Sequence, residues 1–135
     1  MANALYDLGR QNILQADIDW LVDNIKLVLV DNGQYTVNIA THQFLSDIAA
    51  GARTATSGNL ASKTATAGVA DAADVTLTAV TGVQSESIVL YQDTGTASTS
   101  RLICYIDTAT GMPVTPNGGD INVVFDNGTN RIFKL

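Results

Sequence analysis

Cysteine, histidine and tryptophan each occur once in the 135 residues, and proline twice. A lone cysteine excludes an intrachain disulfide. Because Cys104 lies inside an apolar run, it reads as an inert buried thiol. A lone histidine, His42, excludes a histidine-based metal cluster and leaves any Ser/His or Cys/His dyad a single possible base. Its place beside a short helical stretch fits a surface or interface residue better than a catalytic one. Charge is scarce as well: 15% of residues, against about 25% in an average soluble domain. The net charge of -6 comes with no basic stripe, which excludes wrapping nucleic acid by counterion displacement. No apolar run approaches the ~20 residues of a membrane span, and the N-terminus lacks a basic region followed by an apolar core. A soluble protein made in a reducing compartment is expected. No glycine-rich loop joins a strand to a helix, so a phosphate cradle has no support. The stretch 126–130 lacks the glutamate that would close a calcium loop, and a hairpin turn at Asn127-Gly128 explains the same residues. The cluster Asp17, Asp19 and Asp23 reads as a solvated acidic face. No catalytic residue, metal site or cofactor site is therefore assigned, and the chain is expected not to be an enzyme.

What is present is β-forming. Apolar residues make up 46%, enough for the core of one domain over 1–135. Ile88-Val89-Leu90-Tyr91 and Leu102-Ile103-Cys104-Tyr105-Ile106 are apolar on both faces, as in strands covered on both sides. They are expected to be adjacent core strands, separated by the small polar loop Asp93 to Ser100. Ile25 to Asp31 predicts another strand, with Asn32-Gly33 as a hairpin turn and Tyr35 to Ala40 as the returning strand. Val75 to Ala79 alternates, with one face buried and a threonine ladder on the other. Ile121 to Phe125 alternates too, and Asn127-Gly128 predicts a hairpin into Arg131 to Leu135.

Helical signals are few. Residues 2–15 predict a short N-terminal helix with Met1, Leu5, Leu8 and Ile13 on one side. Gly9 weakens it by about 1 kcal/mol relative to alanine. A helix this short needs a dock, and a neighbouring subunit is favoured over its own domain. On that reading, deleting residues 2–14 leaves the β domain folded. Residues 17–25 fit either a helical spacing or a short strand around Trp20. Thr41 predicts a helix cap, with Phe44, Leu45 and Ile48 on the buried side. The Ala/Gly/Ser/Thr-rich stretch 49–71 predicts a flexible or extended loop, with a weak strand near Leu60 to Thr66. The fold class expected is all-β, a jelly-roll-like β-sandwich with a short N-terminal helix.

Several segments resemble, in order, a family of small structural proteins of tailed bacteriophages. They are Ile18-Asp19-Trp20, Asp23 through Asp31, Thr41 through Asp47, and Ala73 through Leu77. The most specific is Tyr91-Gln92-Asp93-Thr94-Gly95-Thr96, running through Ser98-Thr99-Ser100 to Asp107. The resemblance covers most of the chain from about residue 4 and departs in the Ala/Thr-rich middle and the proline-containing turn after Gly111. It implies a capsid decoration or cement protein in the virion, assembled in the host cytoplasm. The implied partners are the major capsid protein and a second copy in a homodimer, with no nucleic acid and no membrane. Two rival readings are a carbohydrate-binding β-sandwich that shows Trp20 or Tyr91 to a host glycan and a tail or baseplate component. The candidate partner-binding residues are Leu5, Leu8, Trp20, His42 and Phe44.

Overall fold

A computed structural model describes residues 3–129 and 131–135. The fold is all-β with one short N-terminal helix. Its centre is a five-stranded antiparallel sheet in the order β1-β8-β7-β2-β3. These strands are β1 (Ala4–Leu5), β2 (Ile25–Val30), β3 (Arg53–Thr56), β7 (Ser87–Gln92) and β8 (Leu102–Ile106). Side chains alternate between the faces of a strand, save at a bulge in β8. There Ile103 is the extra residue between the pairs Leu90–Cys104 and Tyr91–Leu102. Here both faces meet apolar neighbours. On one face Ile25, Leu27, Leu29, Ile88, Leu90, Ile103 and Cys104 join one core cluster. On the other, Val28, Val30, Val89, Tyr91, Leu102 and Tyr105 join a second. That is why these strands read as apolar runs, and β7 and β8 pair as adjacent core strands. Each fully buried aliphatic side chain contributes about 1.5–3 kcal/mol relative to exposure.

Two smaller sheets lie over the first face: β4 (Thr64–Thr66) with β5 (Val69–Asp71) and β10 (Phe133–Lys134), and β6 (Val75–Leu77) with β9 (Ile121–Val123). Ala70, Leu77 and Phe125 bring them into that core. The second face is covered without strands. Tyr35, Leu45, Ile48 and Ala52 from the segment 35–52 pack on it together with Tyr6.

Both expected hairpins are absent. After β2 the Asp31 carboxylate accepts from Gly33 N at 2.8 Å and from Gln34 Nε2 at 3.0 Å. The chain turns off the sheet there, because β7 and β3 already occupy both edges of β2. Tyr35 to Ala40 is consequently an irregular cover, and its apolar residues face the sheet rather than extending it. Likewise β9 pairs with β6 and β10 with β5, so the chain past Asn127-Gly128 passes from one sheet to another. Asn130, within the stretch weighed as a calcium loop, lies outside the described residues.

The stretch 49–71 is more ordered in pattern than the flexible loop expected from its composition. It holds a 3₁₀ turn at Ala50–Ala52, edge strand β3 and the β4–β5 pair. Thr41 caps nothing; the helical turn is Leu45–Asp47, and Asp47 accepts from the N–H groups of Gln43 and Phe44. Residues 17–24 form turns, neither helix nor strand.

The N-terminal helix, α1, is shorter than its apolar spacing predicts, Asp7–Leu14. Met1 lies outside the described residues, and Leu5 belongs to β1, paired with Cys104. The helix docks on its own domain, against the expectation that favoured a neighbouring subunit. Tyr6 is fully buried and donates its N–H to Ile103 O at 2.9 Å. Gly9 sits so close to β8 that an added Cβ would lie 2.6 Å from Leu102 O. Glycine here is the condition for contact.

Candidate functional site

The five candidate partner-binding residues do not form one surface. Leu5 and Trp20 are buried in the first core cluster, Trp20 edge-on to Phe133 with ring centroids 5.4 Å apart. The Trp20 Nε1–H donates to Thr64 O at 3.0 Å, which ties the 17–24 turns to β4. Leu8, His42 and Phe44 are half-buried. His42 stands over the opposite face, where its Nδ1 lies 2.8 Å from the Tyr35 hydroxyl and receives Asn38 N–H at 3.3 Å. Because the backbone N–H can only donate, Nδ1 is an acceptor and Tyr35 donates to it. Tyr35 Oη is in turn 2.9 Å from Tyr6 Oη. Burial raises the pKa of the Tyr6 hydroxyl and pushes that of Tyr35 up to about 12, so both stay protonated and act as hydrogen-bonding posts. The histidine is a pin for the covering segment.

The remaining reactive groups are equally committed. Burial pushes the Cys104 thiol up to about 12, far from the thiolate range needed for chemistry. Among the described residues no group of three or more His, Cys, Asp or Glu side chains could hold a metal ion. Trp20 and Tyr91 are both buried, so neither ring offers a platform to a sugar. That removes the basis of the glycan reading.

A different stretch faces outward. Among the described residues six large hydrophobic side chains are exposed, and Leu14, Leu21 and Val22 are three of them. They fall within nine residues, on a turn that is held firmly from below. Asn12 O accepts from Asp17 N and Ile18 N, closing the chain back on α1. Asp19 Oδ1 accepts from Leu21 N at 3.0 Å and Val22 N at 3.2 Å. Asp23 Oδ2 accepts from Asp19 N at 2.7 Å and from Gln92 Nε2 at 2.6 Å, and Gln92 also donates to Asp17 O. Lys63 Nζ donates to Asp23 O, and burial lowers the pKa of its ammonium. Asp19 and Asp23 thus brace a turn in addition to facing solvent. With Trp20 and Ile18 driven inward as anchors, the turn presents Leu21 at 53% and Val22 at 78% exposure. Sequence reading missed these residues, because Ile18, Leu21, Val22 and Ile25 fit a helical stripe that would have been buried together. The available signal was the spacing of the three aspartates, whose short side chains favour turns.

The surface also carries concavities. One, of about 330 Å³, lies between the central sheet, the β6–β9 pair and the 109–114 turn, with Leu29, Ile88 and Met112 in its wall. Another, of about 380 Å³, lies beside β1 and β10. No helix among the described residues is long and apolar enough to cross a membrane. No protein-family model matches the chain, and no curated protein shows significant similarity to it.

Proposed function

We propose that this chain is a non-enzymatic structural protein of a tailed-phage virion. In that role it binds the outside of the capsid as a cement or decoration protein and stabilises contacts between major capsid subunits. The observation that carries the binding reading is the braced turn 14–22, which holds aliphatic side chains in water on a rigid support. Exposed apolar groups on an immobile backbone cost little ordering entropy on association, which favours docking. The segment with the most specific resemblance, Tyr91 through Asp107, holds the end of β7, the loop after it and all of β8. A β-rich body with both sheet faces filled suits a passive clamp. A clamp that binds only the assembled shell stabilises it by mass action. The low charge favours contacts that are mainly apolar and backbone-mediated, and a two-fold homodimer is the expected unit.

The test uses purified protein mixed with capsids that lack it, scored by co-sedimentation and by the capsid melting temperature. Co-sedimentation with a raised melting temperature is expected, and it should be lost in the Leu21→Asp/Val22→Asp variant while the variant's own unfolding is unchanged. Failure of the unmodified protein to sediment with capsids overturns the proposal. Light scattering of the free protein reports the dimer.

A further inference from the structure

The slot beside β1 and β10 combines two properties. The first is its charge. The chain has seven Lys and Arg residues in a net charge of -6. Five of them are used internally. Lys26 pairs with Asp93 at 2.8 Å, Arg131 pairs with Asp71 at 3.1 Å, and Arg53 donates to Ile48 O. Lys63 donates to Asp23 O, and Arg101 to Gln92 Oε1. The two that meet no hydrogen-bond or ion-pair partner among the described residues are Arg10 and Lys134. Both line this one slot, and among the described residues no acidic side chain does.

The second property is unpaired backbone. β1 is an edge of the five-stranded sheet and β10 an edge of the three-stranded one. In an antiparallel ladder, hydrogen-bonded pairs alternate with pairs whose own N–H and C=O point away. Tyr6 N bonds Ile103 O, so Ala4–Tyr105 is also a bonded pair and Leu5 between them turns its N–H and C=O outward. Leu135 N bonds Gly68 O, so Phe133–Ala70 is a bonded pair and Lys134 turns its backbone groups outward. Leu5 and Lys134 both line the slot, with Cys104, Tyr105 and Ile106 also in its wall. Free edge groups are a template for an added strand.

We infer that this slot takes an extended acidic segment of a partner protein, added as a strand to the open edge of β1 or β10. Alternate residues of such a segment would turn apolar side chains toward Leu5 and Phe133 and carboxylates toward Arg10 and Lys134. Backbone pairing supplies affinity in this mode of recognition and the alternating side chains supply selectivity. Binding here does not depend on whether the partner is a capsid protein.

The probe is a fluorescein-labelled peptide, Val-Asp-Val-Asp-Val-Asp, titrated with the full chain and followed by fluorescence anisotropy. A second peptide of the same sequence carries N-methyl groups on alternate residues, which removes strand pairing and keeps the charge. Saturable binding of the first peptide is expected, with loss of at least about tenfold in affinity in the Arg10→Glu/Lys134→Glu variant and a similar loss on methylation. Both substituted side chains are exposed, and unchanged circular dichroism checks that the variant folds. Equal binding of both peptides would reduce the slot to an anion site and overturn the inference, as would no binding at all or an unaffected variant. Self-association abolished by the same double substitution would assign the slot to a second copy, and would overturn it too.

Discussion

Gly9 shows how one residue can be read correctly in isolation and wrongly in context. Propensity alone makes alanine better than glycine there by about 1 kcal/mol. The fold puts Leu102 O 2.6 Å and Ile103 O 3.1 Å from the position a Cβ would take, and both are backbone atoms that cannot rotate aside. Overpacking of this kind costs about 1–3 kcal/mol, so the clash outweighs the propensity gain. Gly9→Ala is therefore expected to lower stability in urea denaturation, and a stabilised variant would show that α1 can lift off β8. Cys104 makes a second prediction at this scale. Its pKa rises from 9.0 in the unfolded chain to about 12 in the fold because burial penalises the thiolate. Between those values the unfolded chain has lost the proton that the native state keeps, so the native state binds more protons and stability falls as pH rises. Urea midpoints should decline from pH 9 upward, and Cys104→Ala should flatten that decline. Tyr35, raised to about 12, contributes in the same sense and sets a residual slope.

At the level of elements, what the sequence disclosed depended on whether the deciding contacts were local. β2, β7 and β8 were legible because being apolar on both faces has few explanations other than a strand covered twice. β6 and β9 were legible from alternation, with Leu77 buried and Thr76 exposed and bonded to Asn122. The pair Asn32-Gly33 was a real turn but a poor guide to pairing, and no hairpin follows Asn127-Gly128, since strand partners are chosen by distant residues. Leu5 was drawn into a helical stripe because its spacing to Leu8 is helical, yet hydrogen bonding to β8 takes precedence. Of the candidate site, Leu5 and Trp20 were named as binding residues when both are buried, and the exposed aliphatics beside Trp20 were overlooked. Large apolar residues are visible in a sequence; which of them stay in water depends on tertiary packing. The same reasoning reverses the expected outcome of N-terminal truncation. Removing residues 2–14 deletes Leu5 and the fully buried Tyr6, uncovers β8 and leaves the Tyr35 hydroxyl short of a partner. Loss of cooperative unfolding and of β-type circular dichroism is expected. A truncated chain that melts like the full one would mean the segment belongs elsewhere.

Across the described residues, apolar burial and hydrogen bonds do most of the work and the two ion pairs very little. The pairs Lys26–Asp93 and Arg131–Asp71 both keep part of their side-chain surface in water, and such pairs are worth at most ~1 kcal/mol each. The first does hold the Asp93 carboxyl below its usual range, through the Lys26 hydrogen bond. Screening both pairs with salt should therefore lower the melting temperature by no more than about 10 °C, at about 3–5 °C per kcal/mol for a domain between the 100- and 150-residue classes, measurable by differential scanning fluorimetry. A large salt-dependent drop would point to electrostatic support from groups other than these pairs.

The strand order also dictates when the molecule can come into being. Ala4 pairs with Tyr105, and Lys26 pairs with Tyr91. As the chain leaves the ribosome its first strand must wait for its eighth, and β2 must wait for β7. Loop closure over such separations is paid before any pairing repays it, which places folding in the slow, high-contact-order class of milliseconds to seconds. Until residue 92 has emerged, the apolar β2 has only the edge strand β3 to pair with, and the cover that Tyr6 brings waits longer still, for β8. The two-sided core that makes the finished protein inert leaves its nascent form exposed, and the burden of keeping it from aggregation falls on the time before β7 and β8 arrive.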